Sequence, residues 1–155
     1  MQLDAIDQKI LSLIQKDATI PVATLAAHVG LSPSPCWRRV QRLEEAGVIR
    51  SRVALLDPEK LNVKVTVFVA IRTNQHELGW LEAFAKAVAD MPEVVEFYRM
   101  SGEIDYLMRV VVPDIAAYDM FYKRLVARVS LVDVSSSFAM ETIKYTTVLP
   151  VTYAK

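Results

Sequence analysis

The stretch LSPSPCWRRVQRLEEAG, residues 31–47, gathers the polar side chains with the clearest chemical use: Arg38, Arg39, Gln41 and Arg42, with Ser32 and Ser34 just ahead of them. Guanidinium groups bind phosphate oxygens and the edges of bases, and the free N–H groups at a helix start also hold phosphate. Cys36, Val40 and Leu43 recur at i, i+4, i+7, the spacing of one buried helix face, which leaves Arg38, Arg39, Gln41 and Arg42 mostly outside it. Arg38 and Arg42 are one turn apart and suit base edges, where a bidentate Arg–guanine contact discriminates by ~1–3 kcal/mol. Arg39, Ser32, Ser34 and the helix start are assigned to phosphates. Trp37 is expected to pack against a neighbouring helix or wing rather than to touch bases. Cys36 reads as a small buried hydrophobe, not a redox sensor.

The elements around this helix must aim it. With Ser32 as N-cap, Pro33 is the first helical residue and Pro35 the third, and neither proline breaks a bond because the first four N–H groups have no partner within the helix. Asp4 caps an earlier helix whose Ile6, Ile10, Leu13 and Ile14 recur at helical spacing. A second helix begins near Pro21, buries Leu25, Ala26 and Val29, and ends at Gly30 as a left-handed cap. Only two residues separate it from the third, so residues 22–41 read as a helix-turn-helix. Val48–Ile49 and Val53–Leu56 have β character and predict a small wing and a connecting strand. The polar, turn-forming run 57–62 marks the expected boundary, dividing the chain into 1–52, a linker 53–63, and 64–155.

The second part alternates. VKVTVFVAIR reads as a strand, Leu81, Phe84, Ala85 and Val88 as a helix stopped before Pro92, and VVEFYRM and DYLMRVVV as two strands. Tyr118, Phe121, Tyr122, Leu125 and Val129 mark a second helix, and DVSSSFAMETIKYTTV a last strand. The order β-α-β-β-α-β predicts an antiparallel sheet with two helices on one face, so the whole is α+β: a winged helix-turn-helix followed by a ferredoxin-like half.

Composition excludes several classes. The formal net charge is zero, but residues 1–52 carry 7 Lys/Arg against 5 Asp/Glu, and four of those seven cations fall within Arg38–Arg50. The longest apolar run is too short to span a bilayer, and the first residues carry no cationic-then-apolar leader, so a cytoplasmic protein without membrane contact is expected. A single cysteine excludes an internal disulfide framework. His28 and His76 are too scattered for a metal site, and no nucleophile motif or Gly-rich phosphate loop occurs; no enzyme activity, metal or cofactor is expected.

LSPSPCWRRVQRLEEAGVI, preceded by LDAIDQKILSLIQKDA and followed by ALLDPEKL, SGEIDYLMRV and SSFAMETIKYTTVLP, resembles the Lrp/AsnC (feast/famine) transcriptional regulators over nearly the whole chain. The resemblance implies sequence-specific binding of double-stranded DNA and control of amino-acid metabolism genes. It also implies homodimers that assemble further, to an octamer, with recognition helices about one DNA turn apart and therefore roughly palindromic sites. It places Ser101, Gly102 and Asp105, with Ser135, Ala139 and Met140, in an amino-acid effector pocket between dimers. A carboxylate there can hold an α-ammonium group, and loop N–H groups near Gly102 an α-carboxylate. The alternative for SGEIDY is a plain turn in which Gly102 bends the chain and Asp105 bonds a backbone amide. Relatives usually carry Leu-Pro-Gly-Val where this chain has VSLV, residues 129–132. The tail, VALLDPEK and YDMFYKRLV resemble the cysteine-responsive branch, which makes cysteine the first effector candidate. The competing class is a metabolite-sensing oligomeric scaffold that lacks specific DNA binding; arginines 38, 39 and 42 buried at a protein interface would favour it.

Overall fold

The computed structural model describes residues 2–73, 78–129, 131 and 133–154, and it divides into two compact units. The first comprises Met1–Leu55 with Lys144–Lys155, the second Leu56–Ile143.

In the first unit, α1 (Ala5–Ile14) is started by a capping box. Asp4 Oδ1 accepts from the N–H groups of Ile6 and Asp7, and Asp7 Oδ2 accepts from the Asp4 N–H. Helix α2 (Val22–Val29) ends in left-handed Gly30, φ 71° and ψ 33°, after which the Leu31 N–H returns to Ala26 O. Helix α3 (Pro33–Glu45) follows from Ser32, and its first closed turn is Cys36 N–H to Ser32 O at 3.2 Å, so both prolines occupy positions without a helical donor to lose. The core is Ile10, Ile14, Leu25, Ala26, Val29, Cys36, Val40 and Leu43, as the spacing predicts.

The β structure expected at Val48–Ile49 and Val53–Leu56 does not form within this chain. Among the described residues no strand lies between α3 and Val65, and Val53, Leu55 and Leu56 are 72%, 65% and 68% exposed. β-branched content favours a strand only where another strand offers a ladder, and none does so here.

The second unit contains β1 (Val65–Arg72), α4 (Leu78–Ala89), β2 (Val94–Arg99), β3 (Tyr106–Val112), α5 (Ile115–Arg128) and β4 (Asp133–Phe138). The strands form one antiparallel sheet in the order β2-β3-β1-β4. Val67, Val69 and Ile71 face the same side as Met108, Val110 and Tyr106, and pack under Phe84 and Val88 of α4 and Phe121 and Leu125 of α5. The other face carries Phe68, Ala70, Leu107 and Val111, with Ser135 and Ser137 beside them on β4.

The last strand is shorter than its sequence predicts. It ends at Phe138, opposite Val67, with one further bond from the Ala139 N–H to Thr66 O near the start of β1. The tail, within the range 64–155 that the sequence groups as one domain, instead bonds to the helical unit. Gln15 Nε2 donates to Leu149 O and Gln15 Oε1 accepts from the Leu149 N–H, both at 2.9 Å, and Gln8 Nε2 donates to Ala154 O at 3.2 Å.

Candidate nucleic-acid interface and effector residues

The outward face of α3 carries Ser34, Trp37 and Arg38, all exposed, and half-buried Gln41, whose Nε2 donates to Glu44 Oε2 at 3.0 Å. Ser32 is exposed at the helix start and makes no side-chain cap bond, so its hydroxyl is open to a ligand.

Arg39 and Arg42 are engaged within the chain. Arg39 Nη1 lies 2.6 Å from Asp4 Oδ2 and 2.8 Å from Asp7 Oδ1, and Arg42 Nη2 lies 2.7 Å from Asp7 Oδ2. Asp7 is 1% exposed, and its carboxylate takes both guanidinium groups and the Asp4 N–H. The hydrogen bonds it donates to Asp4 and then to Asp7 hold the Arg39 guanidinium charged, its pKa pushed above the ordinary arginine value. Arg39 is therefore a clamp joining α3 to the start of α1. Arg42 is divided: one nitrogen is committed to Asp7 while half of its side chain stays open. Arg38 has no protein partner among the described residues and is the unencumbered cation of this face. Sequence reasoning read Asp4 as a cap but missed Asp7. The available signal was its place three residues after the cap on the helix preceding an arginine-rich one.

The capping N–H of Asp7, and after it the Arg39 hydrogen bond, hold the Asp4 carboxyl below the usual aspartate value. A group depressed in the folded state contributes stability that is present above its unfolded pKa and is lost as pH falls through the lower folded value. Acid unfolding of the helical unit is thus expected to gain from Asp4 protonation below about pH 4, and Asp4→Asn should flatten that limb in circular-dichroism titrations. An unchanged acid limb would remove Asp4 from the account.

Cys36 is fully buried, and burial pushes its thiol above the ordinary value against the opposing charge of Arg39. It packs as a small hydrophobe. Trp37 does not pack as expected: it is 51% exposed and lies outside the residues packed on the core of its unit.

The SGEIDY stretch links β2 to β3. Gly102 has φ 115°, a conformation that favours glycine, and Ser101 and Glu103 are exposed. Asp105 is held on three sides: its N–H donates to Ile71 O, its carbonyl accepts from the Met100 N–H, and its Oδ2 accepts from the Thr73 N–H at 2.8 Å. This is the turn-forming role in full, and it leaves Oδ1 without a hydrogen bond among the described residues.

The structure does not bring the six effector candidates together in one chain. Asp105 lies beside Ile71 and Thr73, beyond one end of β1, whereas the Ala139 N–H bonds Thr66 at the other end. Seven residue steps lead from Thr66 to Thr73, just past the end of β1, about 23 Å at the rise of an extended chain. Ser135 pairs with Ala70 between them, and Met140 is 94% exposed. Of VSLV, Ser130 and Val132 lie outside the described residues, as does His76. Among the described residues no cluster of three or more His, Cys, Asp or Glu side chains is placed to hold a metal, and no helix is long and apolar enough to cross a membrane.

Comparison with known proteins now adds to this geometry. Residues 3–50 match the winged helix-turn-helix DNA-binding family model, and residues 66–149 match the Lrp/AsnC ligand binding domain. The chain is 54% identical over 150 residues to the DNA-binding transcriptional activator DecR of Escherichia coli, covering 96% of this chain and 99% of the relative. It is 51% identical over 149 residues to the glutamate uptake regulatory protein of Zymomonas mobilis, covering 96% and 91%. Among solved structures, an AsnC family transcriptional regulator from Agrobacterium tumefaciens superposes with a TM-score of 0.95 at 64% identity, over 97% of this chain and 99% of that one. A Neisseria meningitidis transcriptional regulator in complex with L-Met superposes with a TM-score of 0.92 at 36% identity, over 97% of each. An exposed polar face on the second helix of a helix-turn-helix, an α+β second unit, and relatives of this kind along the whole chain place it in the Lrp/AsnC family of DNA-binding transcriptional regulators.

Proposed function

We propose that this chain controls genes of amino-acid metabolism as a homodimer, with α3 of each protomer in the major groove of a roughly palindromic site. The observation that carries the reading is the outward face of α3: Ser34, Arg38 and Gln41 share it, and Asp7 fixes the helix from behind through Arg39 and Arg42. Arg38 reads a base edge. Ser32, Ser34 and the open half of Arg42 meet phosphates. The wing and connecting strand find their ladder in a second copy.

The effector is an amino acid, and its site is completed only by assembly. Asp105 Oδ1 holds the α-ammonium group and the loop at Ser101 and Gly102 the carboxylate. Ser135, Ala139 and Met140 serve the same pocket from a neighbouring chain, a division that the distance along β1 requires. Cysteine is the first candidate, by the resemblance of the tail. Methionine is the second, because L-Met occupies the neisserial relative. Rings of four dimers acting in the cytoplasm without enzymatic activity complete the proposal.

Fluorescence anisotropy with duplex from upstream of its own gene, across a salt series and with a panel of amino acids, tests both halves. Arg38→Ala is expected to weaken the selected duplex about tenfold, the loss of one base-reading arginine, and to narrow its margin over scrambled DNA. Asp105→Asn is expected to retain DNA binding and lose the shift caused by the amino acid. DNA binding that no amino acid alters would sink the effector pocket and keep the regulator.

A further inference from the structure

The two flanks of α3 are chemically unlike. Taking Cys36, Val40 and Leu43 as its buried centre, Arg39 lies on one flank and is tied to Asp4 and Asp7. Trp37 lies on the other, three residues after Ser34 and four before Gln41, on the shoulder of the outward face. It is the only aromatic residue between Met1 and Leu55. Half of its surface is open, and it takes no part in the core of the helical unit. With Arg39 clamped and Arg42 divided, Arg38 alone of the three helix arginines is unencumbered, so charge supplies a limited part of what this face offers a ligand.

We propose that Trp37 is a specificity-determining residue of the DNA interface, its indole laid against thymine C5-methyl groups in the major groove. The inference rests on the DNA-binding reading of α3 and assigns it a residue which that reading leaves out. The thymine methyl is the apolar feature of the major-groove edge, and side chains that read it do so by contact rather than by hydrogen bond. Tryptophan suits the task because it presents a large rigid surface with two rotatable bonds, so little freedom is lost on binding. Pro33 and Pro35 fix the first turn immediately ahead of it, which sets where the ring points. Whatever covers Trp37 must also meet Ser34, Arg38 and Gln41, and a polar groove with embedded methyl groups fits that mixture.

The test uses the full-length chain and a duplex that it selects from a randomised pool. Each thymine is replaced in turn by deoxyuridine, which removes only the C5-methyl. Wild-type protein is expected to lose about fourfold in affinity per contacted methyl, the ratio that burial of one such group carries, at one or two positions in each half-site. Trp37→Ala is expected to bind the thymine duplex more weakly, to keep its salt dependence, and to be indifferent to uracil at those positions. Trp37→Phe should restore part of the methyl sensitivity. Indifference of the wild-type protein to every uracil would overturn the proposal, as would losses from Trp37→Ala and from uracil that simply multiply, and either result leaves the DNA reading intact. A pool from which nothing is selected would end both, and that failure is recognisable because it precedes any variant.

Discussion

Asp7→Ala is expected to destabilise the helical unit by about 2–3 kcal/mol, lowering its melting midpoint by about 10–15 °C. Removing one partner of a buried ion pair costs ~3–5 kcal/mol when the remaining charge is trapped. Here the loss is smaller, because the arginine side chains are 26% and 50% exposed and can rehydrate. The capping box goes too, since Asp7 Oδ2 accepts the Asp4 N–H. The consequence for binding is separate from stability. Without the carboxylate nothing ties Arg42 to α1 and Arg39 keeps only its contact with Asp4 at the start of that helix, so the first turn of α3 is aimed chiefly by its apolar side and the two prolines. Affinity for a selected duplex should therefore fall even at temperatures where the variant is fully folded, whereas attraction to scrambled DNA at low salt should hold or rise as Arg42 is released and Arg39 loses one of its two carboxylates. Asp7→Asn keeps the volume and one acceptor and should fall between the two. Melts of the variant within about 0.5 kcal/mol of wild type, with unchanged operator affinity, would show that the buried carboxylate neither holds nor aims α3.

The clamp illustrates what was legible before any coordinates. Helix phase located the buried side of α3 through Cys36, Val40 and Leu43 without error. It also left Arg39 closer to that side than Arg38, and only the outermost arginine proved unencumbered. What phase alone does not contain is the acid that meets a flank residue, because Asp7 and Arg39 are 32 positions apart and their pairing depends on how α1 crosses α3. The same distinction explains the rest. Both cores and the sheet topology follow from periodicities that each element carries within itself. The wing and connecting strand depend on whether a second strand is available, and Val53–Leu56 lacks one in this chain; nothing local to DVSSSFAMETIKYTTV marks the end of β4 at Phe138. The reciprocal bonds between Gln15 and Leu149, 134 positions apart, left no local mark at all. At the effector residues, the turn at Gly102 and the backbone role of Asp105 could be read from SGEIDY. Their distance from Ala139 needed the register of β1 against β3 and β4.

Phe68→Glu is expected to convert the proposed dimer into monomer, raising its dissociation constant by at least about a hundredfold. Within its own unit, and among the described residues, the sheet is covered by α4 and α5 on one face. On the other, Phe68 stands 39% exposed in the middle of β1, opposite Arg109 on β3 and Ser137 on β4, with Ala70, Leu107 and Val111 around it. Tyr98 on β2, paired with Leu107, is 51% exposed. Glu96 and Arg109 pair at 2.8 Å across the same region, and that hydrogen bond holds the Glu96 carboxyl below its usual range, so the charges there are satisfied within one chain. A central aromatic and aliphatic strip rimmed by satisfied polar groups has the anatomy of a protein interface. A carboxylate at its centre would have to be desolvated without a partner, which costs several kcal/mol at an interface and almost nothing on an open surface. Sedimentation velocity across a dilution series separates these cases. Dissociation should carry a second signature in DNA binding, because two recognition helices on one dimer act on a palindrome at high effective concentration and a monomer loses that linkage. Affinity for a full palindromic site should then fall to that for an isolated half-site, with half-site affinity itself unchanged. A Phe68→Glu chain that remains dimeric and still prefers the full site would place the dimer contact on another surface.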